Sequence, residues 1–254
     1  MSLKMISLNS GSNGNCYYVG NDRDAVFIDA GISCRAMERR MISQGLAISK
    51  VRAIFITHEH TDHTRGVEVI SKKYRIPVYI TTATYRNSRL TLAIDLVRDF
   101  TANVPVPVGE LSVLAFQKKH DASDPHSFIV SGNGVTVGIM TDIGIACNNV
   151  VQHLVKCHAV FLEANYDEVM LETGRYPLFL KKRIRGGEGH LSNAQALELF
   201  INHRPSFMKL LVLSHLSEHN NDPKLVRDLF TGHAGETRVV VASRYEASDV
   251  FSVE

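Results

Sequence analysis

The sequence predicts an α/β (α+β) fold in which two mixed β-sheets are flanked by helices, and three features predict it. Short β-branched runs alternate with amphipathic patterns along the whole chain. Early on, strands outnumber helices, and short turns such as 20–24 and 132–134 join several of them, which suits mixed sheets better than one doubly wound parallel sheet. No repeat, low-complexity tract or linker interrupts the 254 residues, a length close to the ~250 that one core supports, so residues 1–254 are expected to form a single domain.

From the N-terminus, strands are expected at 4–8, 16–19, 25–28, 51–57, 77–80, 111–116, 127–130, 135–140, 159–162, 210–213 and 238–241. Helices are expected at 33–44, 65–73, 148–156, 192–203 and 223–230. The helix at 192–203 has the clearest start. Ser192 and Gln195 stand three apart just ahead of Leu197, Leu199 and Phe200, the spacing of a capping box.

Composition sets outer bounds on function. With 44% hydrophobic and 21% charged residues the chain is neither disordered nor fibrous. A formal net charge of +2 is too small to announce nucleic-acid binding, so any basic footprint has to be local. Cys16, Cys34, Cys147 and Cys157 are scattered without a CxxC pair, which supports neither a disulfide framework nor a cysteine zinc site. Plain thiols fit a reducing compartment. No apolar stretch approaches the ~20 residues of a membrane span, and the first residues lack the apolar core of a signal peptide. The expectation is a cytoplasmic protein with no membrane contact.

The chemistry concentrates at one turn. The run Val-Arg-Ala-Ile-Phe-Ile-Thr at 51–57 reads as a buried strand and empties into His58-Glu59-His60-Thr61-Asp62-His63. Along an extended backbone His58 and His60 point the same way and can meet one metal. Asp62 and His63 lie a turn further and can reach a second. Imidazole with carboxylate suits zinc and its first-row neighbours.

His58-x-His60-x-Asp62-His63 is the signature of the metallo-β-lactamase superfamily, a four-layer αββα fold, and the chain resembles that superfamily through its whole length. The resemblance implies a dinuclear site. His58, His60 and His120 would bind one metal, Asp62, His63 and His215 the other, and Asp142 would bridge them. Asp29, in Val-Phe-Ile-Asp-Ala-Gly, is similar to an aspartate that orients ligands in the histidine turn. The implied cofactors are two divalent transition metals, Zn or Mn, with Fe a further candidate. The other histidines, including His126, His153, His158, His203, His219 and His233, are expected in ordinary structural or exposed roles.

Within the superfamily three features point to phosphodiesters. Too few residues separate Asp142 from His215 for a large inserted cap domain. The Leu-Glu-Ala-Asn-Tyr run at 162–166 and Gly-His-Leu-Ser at 189–192 resemble an acidic motif and a later histidine of tRNA 3′-processing nucleases. That likeness implies a leaving-group acid, His190, assisted by Glu163, with Asp62 orienting the nucleophile. Lys181, Lys182, Arg183 and Arg185 form a basic run that either grips phosphates or is a solvated face. The Ser-Gly-Ser-Asn-Gly-Asn loop at 10–15 either offers backbone N–H groups to a phosphate, with Ser12 and Asn13 as contacts, or is a tight structural turn.

That loop, Gly-His-Leu-Ser-Asn at 189–193, and Leu-Ser-His-Leu-Ser at 213–217 with Asn220 and Asn221 resemble the YycJ/WalJ-type bacterial subgroup. This resemblance implies a metal-dependent nuclease acting on DNA from 5′ ends, with nucleic acid as the partner. A thioester or lactone hydrolase would share all seven ligands, and a non-catalytic nucleic-acid-binding subunit is the alternative from another class. The sequence specifies no oligomeric state.

Overall fold

A computed structural model describes residues 2–254. The chain opens with a meander of β1 (Leu3–Asn9), β2 (Cys16–Gly20) and β3 (Ala25–Ile28), and α1 (Cys34–Ser43) follows. Next come β4 (Val51–Phe55), α2 (Thr61–Thr64), α3 (Val67–Tyr74), β5 (Val78–Tyr79), α4 (Thr82–Asn87) and β6 (Val97–Arg98). The second half runs β7 (Val106–Val108), β8 (Leu111–Gln117), β9 (His126–Gly132), β10 (Val135–Met140), α5 (Asn148–Leu154) and β11 (Ala159–Glu163). It ends with α6 (Glu168–Thr173), α7 (Leu178–Arg185), α8 (Asn193–His203), β12 (Leu210–Ser214), α9 (Pro223–Thr231), β13 (Arg238–Val241) and β14 (Phe251–Val253).

The strands form two seven-stranded mixed sheets, ordered β14-β1-β2-β3-β4-β5-β6 and β13-β12-β11-β10-β9-β8-β7. Each is antiparallel at one end and parallel at the other, as short turns followed by helical crossovers require. Three apolar clusters define four layers. The central one joins the sheets, with Met5, Tyr17, Ile28 and Phe55 from the first meeting Val113, Phe128, Ile139 and Phe161 from the second. A second places Met37, Met41, Val67 and Ile70 of α1 and α3 on the outer face of the first sheet. The third packs Val150, Leu154, Leu199, Phe200 and Phe230 of α5, α8 and α9 on the outer face of the other. The expected αββα sandwich is therefore what forms.

Local signals explain the firm boundaries. Ser192 accepts from the Gln195 N–H while the Gln195 side chain accepts from the Ser192 N–H, the reciprocal capping box expected at α8. The helix expected at 65–73 forms as α3 and starts after Gly66, where a Cβ would stand 2.0 Å from the Ile32 carbonyl oxygen. Strands β6, β7 and β14 were not expected. They are two or three residues long and lie at or beside sheet edges, too short to show an alternation. Helices α2, α4, α6 and α7 also went unread, being one or two turns each. No helix of the described residues is long and apolar enough to cross a membrane.

Phe161 of β11 is fully buried and lies 4.8 Å from the ring of Tyr17 in the opposite sheet, a direct contact across the central layer. Phe161→Ala should lower the unfolding free energy by about 3–5 kcal/mol. Urea titration checks this, and a fall in midpoint at unchanged slope is the expected form.

Candidate metal centre

Every donor expected from the sequence stands at the carboxyl end of a strand or in the turn beyond it. Asp29 follows β3, and His58, His60, Asp62 and His63 follow β4. His120 follows β8, Asp142 follows β10, Glu163 ends β11 and His215 follows β12. The two sheets aim these ends at one place.

Backbone conformation does part of the aiming. Asp29, Asp142 and His215 all have left-handed backbones, with φ of 60°, 54° and 56°. A left-handed residue turns the chain sharply at a strand end, and non-glycine side chains adopt it at a cost of about 1–3 kcal/mol unless something fixes them. Here each N–H is tied: Asp29 to the Phe55 carbonyl at 2.8 Å, Asp142 to Glu163 at 3.2 Å and His215 to the Ser10 hydroxyl at 2.7 Å. At Gly31 the chain passes so close to the histidine turn that a Cβ would lie 1.6 Å from the Asp62 carbonyl oxygen, so only glycine fits.

The donors fall into sets. One is His58, His60 and His120, another Asp62, His63 and His215, a third takes His58 and His63 with Asp142, and a fourth gathers Asp142, Glu163, His190 and His215. His58 Nε2 lies 3.0 Å from His60 Nδ1. His63 Nε2 is 3.4 Å from Asp62 and 3.2 Å from Asp142, and His215 Nε2 is 3.6 Å from Asp62. Ligands about 2.0–2.1 Å from a tetrahedral metal stand about 3.3 Å from one another, so these separations suit a shared cation.

Two further observations support that fit. His120 Nε2, Asp142 Oδ2 and His215 Nε2 are buried without hydrogen-bond partners, an arrangement that is costly for polar atoms left alone. Asp29, Asp142 and Glu163 are buried and Asp62 is half-buried, while Lys118 is the buried cation among them, its ammonium donating to the Thr141 carbonyl at 2.6 Å. Excess buried negative charge calls for further cations.

The far sides of the His58, His63, His120 and His215 rings are fixed as well. Asp29 accepts from His63 Nδ1 at 2.6 Å and from the Thr57 N–H and hydroxyl at 2.9 and 2.8 Å. Thr57 Oγ1 also lies 2.8 Å from His58 Nδ1, the Gly189 carbonyl 3.0 Å from His120 Nδ1, and Glu163 3.0 Å from His215 Nδ1. Such outer partners set which nitrogen faces the metal.

Electrostatics follow from this packing. Burial, helped by His63 and Lys118, holds His58 far below the usual histidine range. Burial likewise lowers His120 to about 4 against the pull of Asp142. At His215 burial is outweighed by Asp142, Asp62 and Glu163, which raise it to about 10, and at His63 by Asp142, Asp29 and Asp62. Burial would raise Asp142 and Glu163, but His215 and His63 hold the first well below the carboxylate range, and His190 with His215 brings the second to about 2. Positive charge at His63 and His215 is thus favoured, and proton and metal cation compete for it.

His190 sits beside the donors, its Nδ1 2.8 Å from Glu163 and 3.8 Å from Asp142. It lines a cleft of about 410 Å³ together with His60, Asp62, His120, Asp142 and His215. Tyr176, Leu180, Arg183 and Ile184, from α7 and the turn before it, line the same cleft. Glu163 is fully buried and accepts from the N–H groups of Asp142, Ile143 and Leu191 as well as facing both imidazoles. It reaches no open space, and its side-chain partners are His190 and His215.

The basic run does not stay together in space. Winding into α7 spreads its four cations round the helix. Lys181 is buried and donates to the Glu172 carbonyl, Arg185 pairs with the Glu172 carboxylate, and Lys182 is exposed. Arg183, paired with Asp121, is the member that lines the cleft. In the loop at 10–15, the N–H groups of Ser10, Gly11, Gly14 and Asn15 are taken within the protein, so these four serve the turn itself. Asn13 binds the Arg244 carbonyl and Asn9 instead of facing the cleft, whereas Ser12 does line it.

Sequence reasoning missed the amides. Asn15 places Nδ2 3.2 Å from Asp62 and 3.1 Å from His63, and Asn165 donates to the His215 carbonyl at 2.7 Å. Asn15 closes the glycine-rich loop and Asn165 follows Glu163 by two, so proximity to a motif was the available signal.

Residues 10–168 match the family model of the metallo-beta-lactamase superfamily. The chain belongs to that superfamily. It is 33% identical over 231 residues to the exodeoxyribonuclease YycJ of Bacillus anthracis, spanning 89% of this chain and 87% of that protein. It is also 27% identical to the exodeoxyribonuclease WalJ of Streptococcus pneumoniae, spanning 98% and 94%. Among solved structures, the metallo-beta-lactamase fold protein YhfI of Bacillus subtilis superposes with a TM-score of 0.75 over 99% of this chain and all of that one, at 13% identity, a likeness of fold. Superfamily membership and the donor clusters together make the chain a metal-dependent hydrolase that uses divalent cations.

Two substitutions grade the metal centre. Asp142→Ala removes the carboxylate that lies between the donor sets and should abolish stoichiometric metal binding. Asp29→Asn turns an amide donor toward Thr57 or His63 and should weaken metal affinity by about 10–100-fold with the fold retained. Competition with a chromophoric chelator, alongside circular dichroism, measures both.

Proposed function

We propose that this chain is a two-metal phosphodiesterase that removes nucleotides from the 5′ ends of DNA. The observation that carries the reading is His190. It stands at the edge of the donor cluster with Nδ1 held by Glu163, which leaves Nε2 as its free nitrogen in the cleft. A P–O bond to a sugar breaks to give a poor alkoxide leaving group, and a held imidazole beside the metals answers that need. Two relatives named as exodeoxyribonucleases, aligned over most of the chain, support the same substrate class. Four free cysteines, three of them buried, support a cytoplasmic setting.

His58, His60 and His120 would hold one metal, Asp62, His63 and His215 a second, and Asp142 would serve both, with Zn or Mn favoured and Fe a further candidate. When bound, such metals supply Lewis-acid charge at the phosphoryl group and lower the pKa of water. The protein does the rest. Asp62, held by Asn15, keeps its carboxylate oriented at the cleft floor. Glu163 accepts from His190 Nδ1, so the ring can carry its second proton on Nε2 and deliver it to the departing sugar oxygen. Arg183 offers a guanidinium to a phosphate once it leaves Asp121.

The test compares leaving groups. His190→Ala should keep its metals yet cut a DNA strand about 10²–10⁴-fold more slowly. A phosphodiester with a nitrophenolate leaving group should lose far less, since nitrophenolate departs unaided. Equal losses on both substrates at intact metal content would remove His190 from the leaving-group role. Full activity in excess chelator would remove metal catalysis altogether.

A further inference from the structure

We propose that the hollow beside His60, lined by Arg65 and Arg89, grips backbone phosphate of the strand that stays behind while its terminal nucleotide is removed at the metal donors. This inference rests on the nuclease reading and adds where the uncut part of the substrate is held.

The hollow encloses about 520 Å³ and shares His60 and Thr61 with the metal cleft, so the two are neighbours across the histidine turn. Arg65, between α2 and α3, and Arg89, in the segment after α4, line it and are exposed to solvent. Other surface arginines are already paired: Arg75 with Asp95, Arg183 with Asp121 and Arg185 with Glu172. Among the described residues Arg65 and Arg89 pair with no carboxylate. Arg65 donates one hydrogen bond, to the Asn13 carbonyl at 3.2 Å, and both guanidiniums keep further N–H groups free.

Two acids line the same hollow, and both are occupied. Glu59 accepts from the N–H and hydroxyl of Ser123 at 2.8 and 2.9 Å, and Glu68 accepts from the Thr91 N–H. The carboxylates are thus satisfied while the guanidinium forks are not, and a phosphate is the guest such forks bind best. The backbone beneath is fixed. The Arg65 N–H donates to the Thr61 carbonyl at 3.0 Å, the Gly66 N–H to the Ala30 carbonyl at 2.8 Å, and Leu90 packs on the apolar cluster outside the first sheet.

The order of the rings supplies a direction. His190 lies 5.2 Å from His120, centroid to centroid, and His120 lies 5.2 Å from His60. His190 gives its proton to the sugar of the removed nucleotide, which places that nucleotide at the His190 end. The remaining strand then passes His60, and since phosphates recur once per nucleotide, the next ones meet the arginines.

The experiment uses the metal-loaded enzyme and a 5′-labelled strand, alone or annealed to its complement, whichever the wild type cuts faster. The first cut is followed on the natural strand and on strands with one neutral methylphosphonate, at the second, third or tenth linkage. A nitrophenyl phosphodiester with a single phosphate completes the set. For the wild type, neutralising the second or third linkage should lower kcat/KM by ~2–5-fold for each ion pair lost, as exposed pairs supply, and the tenth should have no effect. Replacing both arginines by alanine should cost a similar factor on the natural strand, abolish the penalty of the neutral linkage, and cost far less on the nitrophenyl substrate. Binding of the natural strand should also lose ~0.7–0.9 of log–log salt slope for each contact removed, and Arg65→Lys with Arg89→Lys should restore that slope. A methylphosphonate penalty that is absent in the wild type or undiminished in the double alanine variant would overturn the proposal. So would an equal loss on the nitrophenyl substrate at unchanged metal content and Tm. These results leave nuclease activity standing. Failure of the wild type to cut any strand would instead take the nuclease reading down, and this inference with it.

Discussion

Unbalanced negative charge in a buried place is the constraint on which this molecule is organised. Asp29, Asp142 and Glu163 are inside the protein, Asp62 is half-buried, and Lys118 is the buried ammonium among them. Charge in a low-dielectric interior is tolerated only when paired and hydrogen-bonded. The imidazoles around these acids, and the divalent cations their nitrogens can share, provide that pairing. Much else serves it. Glu163 gathers three backbone N–H groups and two histidines, and Thr57 bridges Asp29 to His58. Asn15 ties the first loop to the histidine turn.

The sandwich is what makes such a concentration possible. Parallel strands in both sheets deliver their carboxyl ends to one side, and the turns beyond them carry the polar groups while the strands themselves stay apolar. The left-handed residues at Asp29, Asp142 and His215 would be a local burden in a flexible loop. Here the central layer, with contacts such as Phe55 on Phe128 at 5.5 Å, fixes the strands from which they turn. Rigidity of the core and awkwardness of the site are two halves of one arrangement.

The donor set was legible because it is local or repeats a local pattern. His58 to His63 are contiguous, and His120, Asp142 and His215 each come directly after a strand that reads clearly as one. What surrounds the donors was not legible, because it depends on residues distant in sequence meeting in space. Nothing in the order of residues says that the Gly189 carbonyl faces His120 or that Glu163 contacts His215 fifty-two positions away. The basic run stayed open between two readings for a related reason. A cluster of charges in sequence becomes a ring of charges once it winds into α7, and Lys181 ends inside the protein while Arg183 reaches the cleft. Helix α7 itself, two turns long and flanked by Pro177 and Gly186, gave too little periodicity to be seen.

The donor sets do not follow the sheets. His58 and His60 hang from the first sheet and His120 from the second, and Asp62 and His63 likewise share a set with His215. Each cation would therefore rivet the two halves of the sandwich together at the edge where the strands end. Metal supply then becomes part of the folding equilibrium, since whatever binds the assembled site and not the open chain draws the population toward the native form. A cell short of the right metal would lose more than turnover. It would hold a looser protein, with its two sheets less firmly joined and its chain more open to proteases.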